Sequence, residues 1–203
     1  MSSPKFIVVE GLDGSGKTTI VEFIRTLHRA AGVPVVINSS SSATPFAQAI
    51  RGVVIDEVSR GVSHNALALL VNAARRDIVE RYIEPALVAG DNVVSDRWTL
   101  STAVYQCDAD DLLLVNTIGG MDMEPDLVII LDVDYATSME RLKRRHVAAD
   151  HLESCSPDVF THRRQILLQH AAQHPFNTKV VDATPSTEVV CNAIYALIWP
   201  LLQ

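Results

Sequence analysis

The sequence predicts an α/β protein, a three-layer α/β/α sandwich in which a five-stranded parallel sheet is covered by helices on both faces. Short apolar runs alternate with stretches whose apolar residues recur at helical spacing, the pattern that strand–helix crossover units leave in a sequence. The runs at residues 6–9 and 127–131 are apolar at every position, as strands of a sheet buried on both faces are. A length of 203 residues builds one good core and not two, so residues 1–203 read as a single domain.

Each element follows from its own residues. Residues 6–9 form the first strand and residues 18–31 its crossover helix, with Ile20, Phe23, Ile24 and Leu27 at helical spacing and Gly32 and Pro34 as the stop. Residues 35–37 are a second strand, and the four serines at 39–42 suit a turn-rich loop. Thr44 caps a short helix at residues 45–50, because Pro45 is tolerated in a first turn. Residues 63–88 read as helical with a break near Glu84 and Pro85, and residues 92–95 as a strand leading into Asp96 and Arg97. A charged pair at the end of an apolar strand points at a site. Residues 103–119 are expected to be helical in part, with Leu112, Leu113 and Val115 toward the core. After the strand at 127–131, helices at 135–145 and 160–170 flank a charged stretch that breaks the pattern, so residues 141–157 read as a mobile lid. A last strand at 179–181, a turn at 183–185 and a helix at 188–198 follow.

Composition removes several classes of function. Lys and Arg number 17 against 24 Asp and Glu, a formal net charge of -7, which argues against a broad nucleic-acid groove. Cys107, Cys155 and Cys191 are far apart and form no C-x-x-C pair, so neither a structural zinc nor a disulfide framework is indicated. No apolar run is long enough to cross a bilayer and no signal-type segment opens the chain, so the expectation is a soluble, cytoplasmic protein without membrane contact. His64, His146 and His151 lack metal-ligand spacing.

The chemistry is announced by residues 10–19, EGLDGSGKTT, which contain G-x-x-x-x-G-K-T between the first strand and its helix. Gly11, Gly14 and Gly16 let the backbone bring its N–H groups onto phosphate oxygens, and the helix that follows turns its positive end toward the anion. Lys17 reaches the β- and γ-phosphates, and the Thr18 hydroxyl is placed to ligate the Mg²⁺ that accompanies ATP, the phosphoryl donor. Ser15 and Thr19 complete this donor-binding turn. The fold expected is therefore of the P-loop NTPase type.

Beyond this loop the chain resembles the thymidylate kinases, nucleoside monophosphate kinases of that type. The stretches that carry the resemblance are EGLDGSGKTT at 10–19, NAARRDIVERYIEPALVAG at 72–90, SDRWTLSTAVYQ at 95–106, PDLVIILDV at 125–133 and VDA at 181–183, in the family's order and roughly its spacing. The resemblance implies roles. Asp13 matches the acid that receives the acceptor's sugar 3′-hydroxyl, with a turn carboxylate as the alternative. Arg75 matches the helix arginine that bonds the pyrimidine, with a surface ion pair to Asp77 or Glu80 as the alternative. Arg97 matches the arginine that holds the acceptor phosphate, and Asp96 the acid that orients magnesium, unless the two merely end a strand as a pair. Ser101, Tyr105 and Gln106 match the lining of the acceptor pocket. Gly14 places the chain in the family branch whose lid supplies the catalytic arginine, here Arg144 or Arg145, against the alternative of a solvated helix face. Asp182 and Ala183, with Thr184, match the loop that approaches the adenine.

The chain departs from the family pattern where the base is recognised. Ser39, Ser40, Ser41, Ser42, Ala43 and Thr44 stand in place of an R-E-P-G-G-T loop, Val71 in place of a stacking phenylalanine, and Ile78 in place of a histidine. The lid pattern D-R-[FI]-E appears as Asp150, His151, Leu152 and Glu153. The resemblance implies transfer of the γ-phosphoryl of ATP to dTMP by an enzyme that is a homodimer, packed through a helix carrying Ala66, Leu67, Leu70 and Ala74. The alternatives are a kinase for another or 5-modified pyrimidine deoxynucleotide and a catalytically silent nucleotide-binding module.

Overall fold

The computed structural model describes residues 3–39, 42–58, 60–106, 123–144, 155–174 and 177–203. Within them lie the strands β1 (Phe6–Gly11), β2 (Val35–Ser39), β3 (Asn92–Asp96), β4 (Leu127–Asp132) and β5 (Thr178–Asp182). The helices are α1 (Lys17–Ala31), α2 (Pro45–Val58), α3 (His64–Ile78), α4 (Glu84–Ala89), α5 (Thr99–Tyr105), α6 (Tyr135–Arg144), α7 (Pro157–Gln173) and α8 (Thr187–Ile198). The sheet is five-stranded in the order β2-β3-β1-β4-β5, and every pairing in it is parallel.

The central strands are buried on both faces, and their alternation divides the core in two. Phe6 and Val8 of β1, with Val128 and Ile130 of β4, pack under α3, α5 and α7. Ile7 and Val9, with Ile129 and Leu131, pack under α1 and α8. That is the three-layer sandwich expected from the sequence. Ile24 of α1 is fully buried in the second cluster, and truncating such a side chain to Ala costs about 2–5 kcal/mol.

Several elements differ from their sequence expectations in extent. Thr44 does cap α2, its Oγ1 accepting from the Ala47 N–H at 2.9 Å, but the helix runs on to Val58 because Ala47 and Val54 find burial along it. The expected break near Glu84 and Pro85 is a π-helical turn instead, Val79–Ile83, in which the Glu84 N–H donates to the Val79 carbonyl. Pro85 then falls in the first turn of α4, where its missing N–H costs nothing, so the helical run continues from α3 into α4. Ser156 caps α7, accepting from the Val159 N–H at 3.3 Å, and this starts the helix at Pro157 rather than 160. Helix α5 begins at Thr99; Leu112, Leu113 and Val115 lie outside the described residues, as do Arg145 and most of the expected lid.

The register places function at one edge. Val9 pairs with Asp96, Gly11 with Leu131, and Asp132 with Asp182. The strand ends therefore fall within about three residues of one another, and they deliver the glycine loop, the Asp96–Arg97 pair, Asp132 and the turn after β5 to a common rim.

Candidate active site

The glycine loop is shaped by close packing of its backbone on α6 and by left-handed turns. Gly14 has φ 76, and a Cβ there would lie 2.6 Å from the Ser138 carbonyl oxygen of α6. Gly16 has φ 93 in the left-handed region immediately before α1, a conformation that side chains resist. The loop is braced from α6, whose buried Ser138 donates its hydroxyl to the Asp13 carbonyl at 2.7 Å. The Lys17 ammonium donates to the Leu12 carbonyl at 2.9 Å. Burial, and then the repulsion of Arg97, push its pKa down to about 8.

The turn after β3 is held in a strained form. Arg97 is the one described residue other than glycine with positive φ, at 72, a conformation that costs of order 1–3 kcal/mol. Its N–H donates to the Val9 carbonyl at 2.9 Å, and its own carbonyl accepts the Ser95 hydroxyl at 2.7 Å. Asn38 donates to that same hydroxyl at 2.8 Å. The Arg97 guanidinium is thereby turned back onto the glycine loop, donating to the Gly11 carbonyl at 3.2 Å, to Ser101 Oγ at 3.3 Å and to the Asp13 carboxylate.

Asp13 is the centre of the charge arrangement. One carboxylate oxygen takes Arg97 and stands 3.9 Å from the Lys17 ammonium, while the other accepts the Tyr105 hydroxyl at 2.7 Å. Burial alone would raise its pKa, but Arg97, Lys17 and the Tyr105 hydroxyl outweigh it and hold the carboxyl below its usual range. Burial raises the Tyr105 hydroxyl against the pull of Arg97, and Asp13 raises it further, so it remains a donor. For Arg97, burial is overcome by Tyr105, Asp13, Glu10 and Asp96, which raise its pKa.

One cavity of about 500 Å³ joins these groups. Asp13, Gly14, Gly16, Lys17, Thr18 and Thr19 line it from the glycine loop, and Arg75, Asp96, Arg97, Ser101, Tyr105 and Gln106 from the other side. Every acceptor-side residue expected from the sequence is thus brought to a single space. Arg75 is not half of a surface pair. It is 2% exposed, donates to the Trp98 carbonyl at 3.1 Å, to Thr102 Oγ1 at 2.8 Å and to Asn72, and lies over the Trp98 ring. Asp77 and Glu80 pair with Arg81 and Arg76 instead.

Other expected residues stand elsewhere. Gly11 and Ser15 of the loop do not line the cavity, nor do Asp182 and Ala183. The Asp182 carboxylate closes its own turn on the Thr184 N–H at 2.9 Å, and the Ala183 N–H is taken by the Asp132 carbonyl at 2.7 Å. Arg144 is exposed and paired with Glu140. The arginine of α6 that reaches the cavity is Arg141, which donates to the Gly14 carbonyl at 3.5 Å and to the Thr184 and Pro185 carbonyls at 3.2 and 3.3 Å. The sequence reading also passed over Glu10 as a site residue. It is 1% exposed and accepts from the Trp98 N–H at 2.7 Å, the Ser101 N–H at 3.1 Å and the Ser101 hydroxyl at 2.7 Å. An acid closing an apolar strand was the available signal.

Thr18 and Asp96 offer a hydroxyl and a carboxylate to the same cavity. Among the described residues no group of three or more His, Cys, Asp or Glu is gathered. Such a sparse oxygen set suits magnesium, which takes one or two protein ligands and completes its shell with phosphate and water. No described helix is long and apolar enough to cross a membrane.

Comparison with known proteins gives a consistent result. The family model for thymidylate kinase matches residues 9–194. The chain is 34% identical to the thymidylate kinase of Ruegeria pomeroyi, over 91% of this chain and 90% of that one. It is 36% identical to the thymidylate kinase of Afipia carboxidovorans, over 94% and 87%, and 33% identical to a probable thymidylate kinase of Thermococcus kodakarensis, over 97% and 98%. With the glycine loop, the paired charges of Asp13 and Arg97 and this similarity spanning nearly all of its length, the chain belongs to the thymidylate kinase family.

Proposed function

We infer that the protein transfers the γ-phosphoryl of ATP to dTMP, giving dTDP and ADP. The observation that carries this reading is the single cavity in which the glycine loop and Lys17 face Arg97, Arg75 and Gln106. Two anionic substrates entering it from its two ends meet phosphate to phosphate.

The loop N–H groups and Lys17 hold the donor phosphates, and the Arg97 fork takes the acceptor phosphate while keeping Asp13 beside the acceptor sugar. Arg75 and Gln106 offer donors to a pyrimidine edge. No strong general base is required, because a phosphate monoester is already largely ionised at neutral pH; the barrier falls through alignment and compensation of charge. Thr18 and Asp96 would hold Mg²⁺, which when bound neutralises charge on the phosphates. The sequence offers Arg144 and Arg145 as a further cation for the transferring phosphoryl, and Arg141 of α6 is the arginine that already faces the cavity.

A homodimer formed through α2 and α3 fits this reading. Leu67 and Ala74 are spent on the protein's own core, but Phe46 and Val53 of α2 and Leu69 of α3 remain 46%, 45% and 43% exposed, on two helices that pack along one another.

A second reading, a 5-substituted deoxyuridine monophosphate larger than dTMP, is favoured by the non-aromatic, aliphatic wall of the cavity, where Ala47 and Val71 are small. An ADP-release assay with dTMP, dUMP, dCMP and 5-substituted dUMP tests both. The first reading expects dTMP to be the best acceptor, the second a bulkier analogue, and absence of ADP release with every monophosphate sinks both.

A further inference from the structure

Tyr105 stands between two arginines. The Arg97 guanidinium lies 5.1 Å from the ring centroid and the Arg163 guanidinium 4.6 Å. Arg97 lines the large cavity. Arg163 lines a small crevice behind it, together with Leu12, Met139 and Phe160, and Tyr105 borders both spaces. The ring is therefore a partition with a cation on either side, and its hydroxyl is fixed to Asp13 at 2.7 Å.

Arg163 is itself held at a set place. It is half-buried, and the next residue of α7, Arg164, makes a bidentate pair with Asp132 at the end of β4, Nε to Oδ1 at 2.6 Å and Nη2 to Oδ2 at 2.7 Å. A two-bond fork onto a strand end fixes the helix in rotation as well as in distance. Tyr135 meets Phe160 edge-on at 5.4 Å one turn earlier in α7, so the same face is packed against α6. Asp13 borders both spaces as well, and the Arg163 charge acts on its carboxylate in the same sense as that of Arg97.

We propose that Arg163 is a positioning residue for the phosphoryl acceptor, clamping the Tyr105 ring from behind so that its hydroxyl stays on Asp13 and Asp13 stays on Arg97. This makes α7 part of the acceptor site without touching the acceptor. A cation on an aromatic face is a directional contact that an aliphatic side chain of equal length does not replace.

The kinetic arm of the test rests on the acceptor reading above; the structural arm does not. Arg163→Met is expected to raise KM for the monophosphate about 3- to 30-fold, the span of a cation–ring contact, with KM for ATP unchanged. Arg163→Lys, which keeps the cation, restores most of the loss. In a Tyr105→Leu background, where the ring is gone, Arg163→Met has no further effect. A nucleotide-free crystal structure of Arg163→Met is expected to show the Tyr105 hydroxyl off Asp13, and Arg163→Gln serves the same comparison where the Met variant does not fold. A Tyr105–Asp13 bond intact in the variant, or additive losses in the double variant, overturns the proposal. Wild-type protein that accepts no monophosphate sinks the function proposed above and leaves the crystal structure to decide this one.

Discussion

The Glu10 carboxylate grips Ser101 twice, accepting its N–H and its hydroxyl, and takes the Trp98 N–H as well. Trp98 is the N-cap of α5 and Ser101 lies in its first turn, where backbone N–H groups have no partner within the helix. A buried acid from β1 thus caps the helix that carries Ser101 and Tyr105, and it braces the strained Arg97 that lies just before it.

Glu10→Gln keeps the shape but places an amide donor against donors. It is expected to destabilise the fold by about 1–3 kcal/mol, with turnover falling further than the unfolded fraction explains, because Arg97 is freed to relax. Chemical denaturation and kcat measured on the same preparation check this. A variant with wild-type stability and turnover contradicts the bracing role.

Arg97→Ala removes the fork between the acceptor phosphate and Asp13. Turnover should fall on the order of 10²–10³, the cost of deleting one charge-stabilising donor at a transferring group, while ATP binding changes much less. Arg97→Lys should recover little, since an ammonium cannot span Gly11, Ser101 and Asp13 from one planar group. Titration calorimetry with ATP beside steady-state kinetics separates the two effects.

Lys17 gives ATP binding a dependence on pH. Its pKa in the protein without nucleotide is pushed down to about 8 by burial and by Arg97, and polyphosphate beside it raises that value. Above pH 8 binding must therefore take up protons, and affinity declines as pH rises, by at most about tenfold per unit. Calorimetry at pH 8.5 in buffers of different ionisation enthalpy measures the uptake; identical heats in every buffer contradict it.

Much of this was legible in the sequence because the site is local where it is chemical. The glycine loop lies within ten consecutive residues, and the Asp96–Arg97 pair within two, each set by one strand end. The less legible part was long-range. Ser138 reaches the Asp13 carbonyl, Arg163 reaches the Tyr105 ring, and Arg141 bridges Gly14 to Thr184, and periodicity carries no information about such meetings. The π-helical turn at Val79–Ile83 escaped for a local reason: the proline reads as a breaker, and only the preceding wide turn shows how its missing donor is absorbed.

Two histidines set an acid limit on stability. His28 is fully buried, its ring nitrogens engaged with the Ile24 carbonyl at 2.9 Å and the Asn92 amide at 3.1 Å. Burial lowers its pKa despite that carbonyl. His170, stacked on His174 at 4.2 Å, is lowered to about 4 by burial and by that neighbour. Both bind protons less readily folded than unfolded, so their stabilisation is complete above the unfolded value of about 6.5 and is lost as pH falls below it. The urea midpoint should drop between pH 7 and pH 5, and His170→Gln should shrink that drop.

Arg141 and Arg144 differ by one turn of α6 and should differ sharply in effect. Arg141 ties the glycine loop to the turn after β5 at the cavity rim, three carbonyls sharing one guanidinium. Arg144 lies on the solvated face with Glu140, both well exposed, where such a pair contributes about 0.3–0.5 kcal/mol. Arg141→Ala should raise KM for ATP about tenfold, the value of a charge-assisted bond of some 1.5 kcal/mol, with the loop and the turn no longer held in register. Arg144→Ala should change it less than about twofold. Parallel ATP titrations of the two variants decide, and a larger effect at Arg144 means that this side chain leaves Glu140 and enters the cavity during turnover.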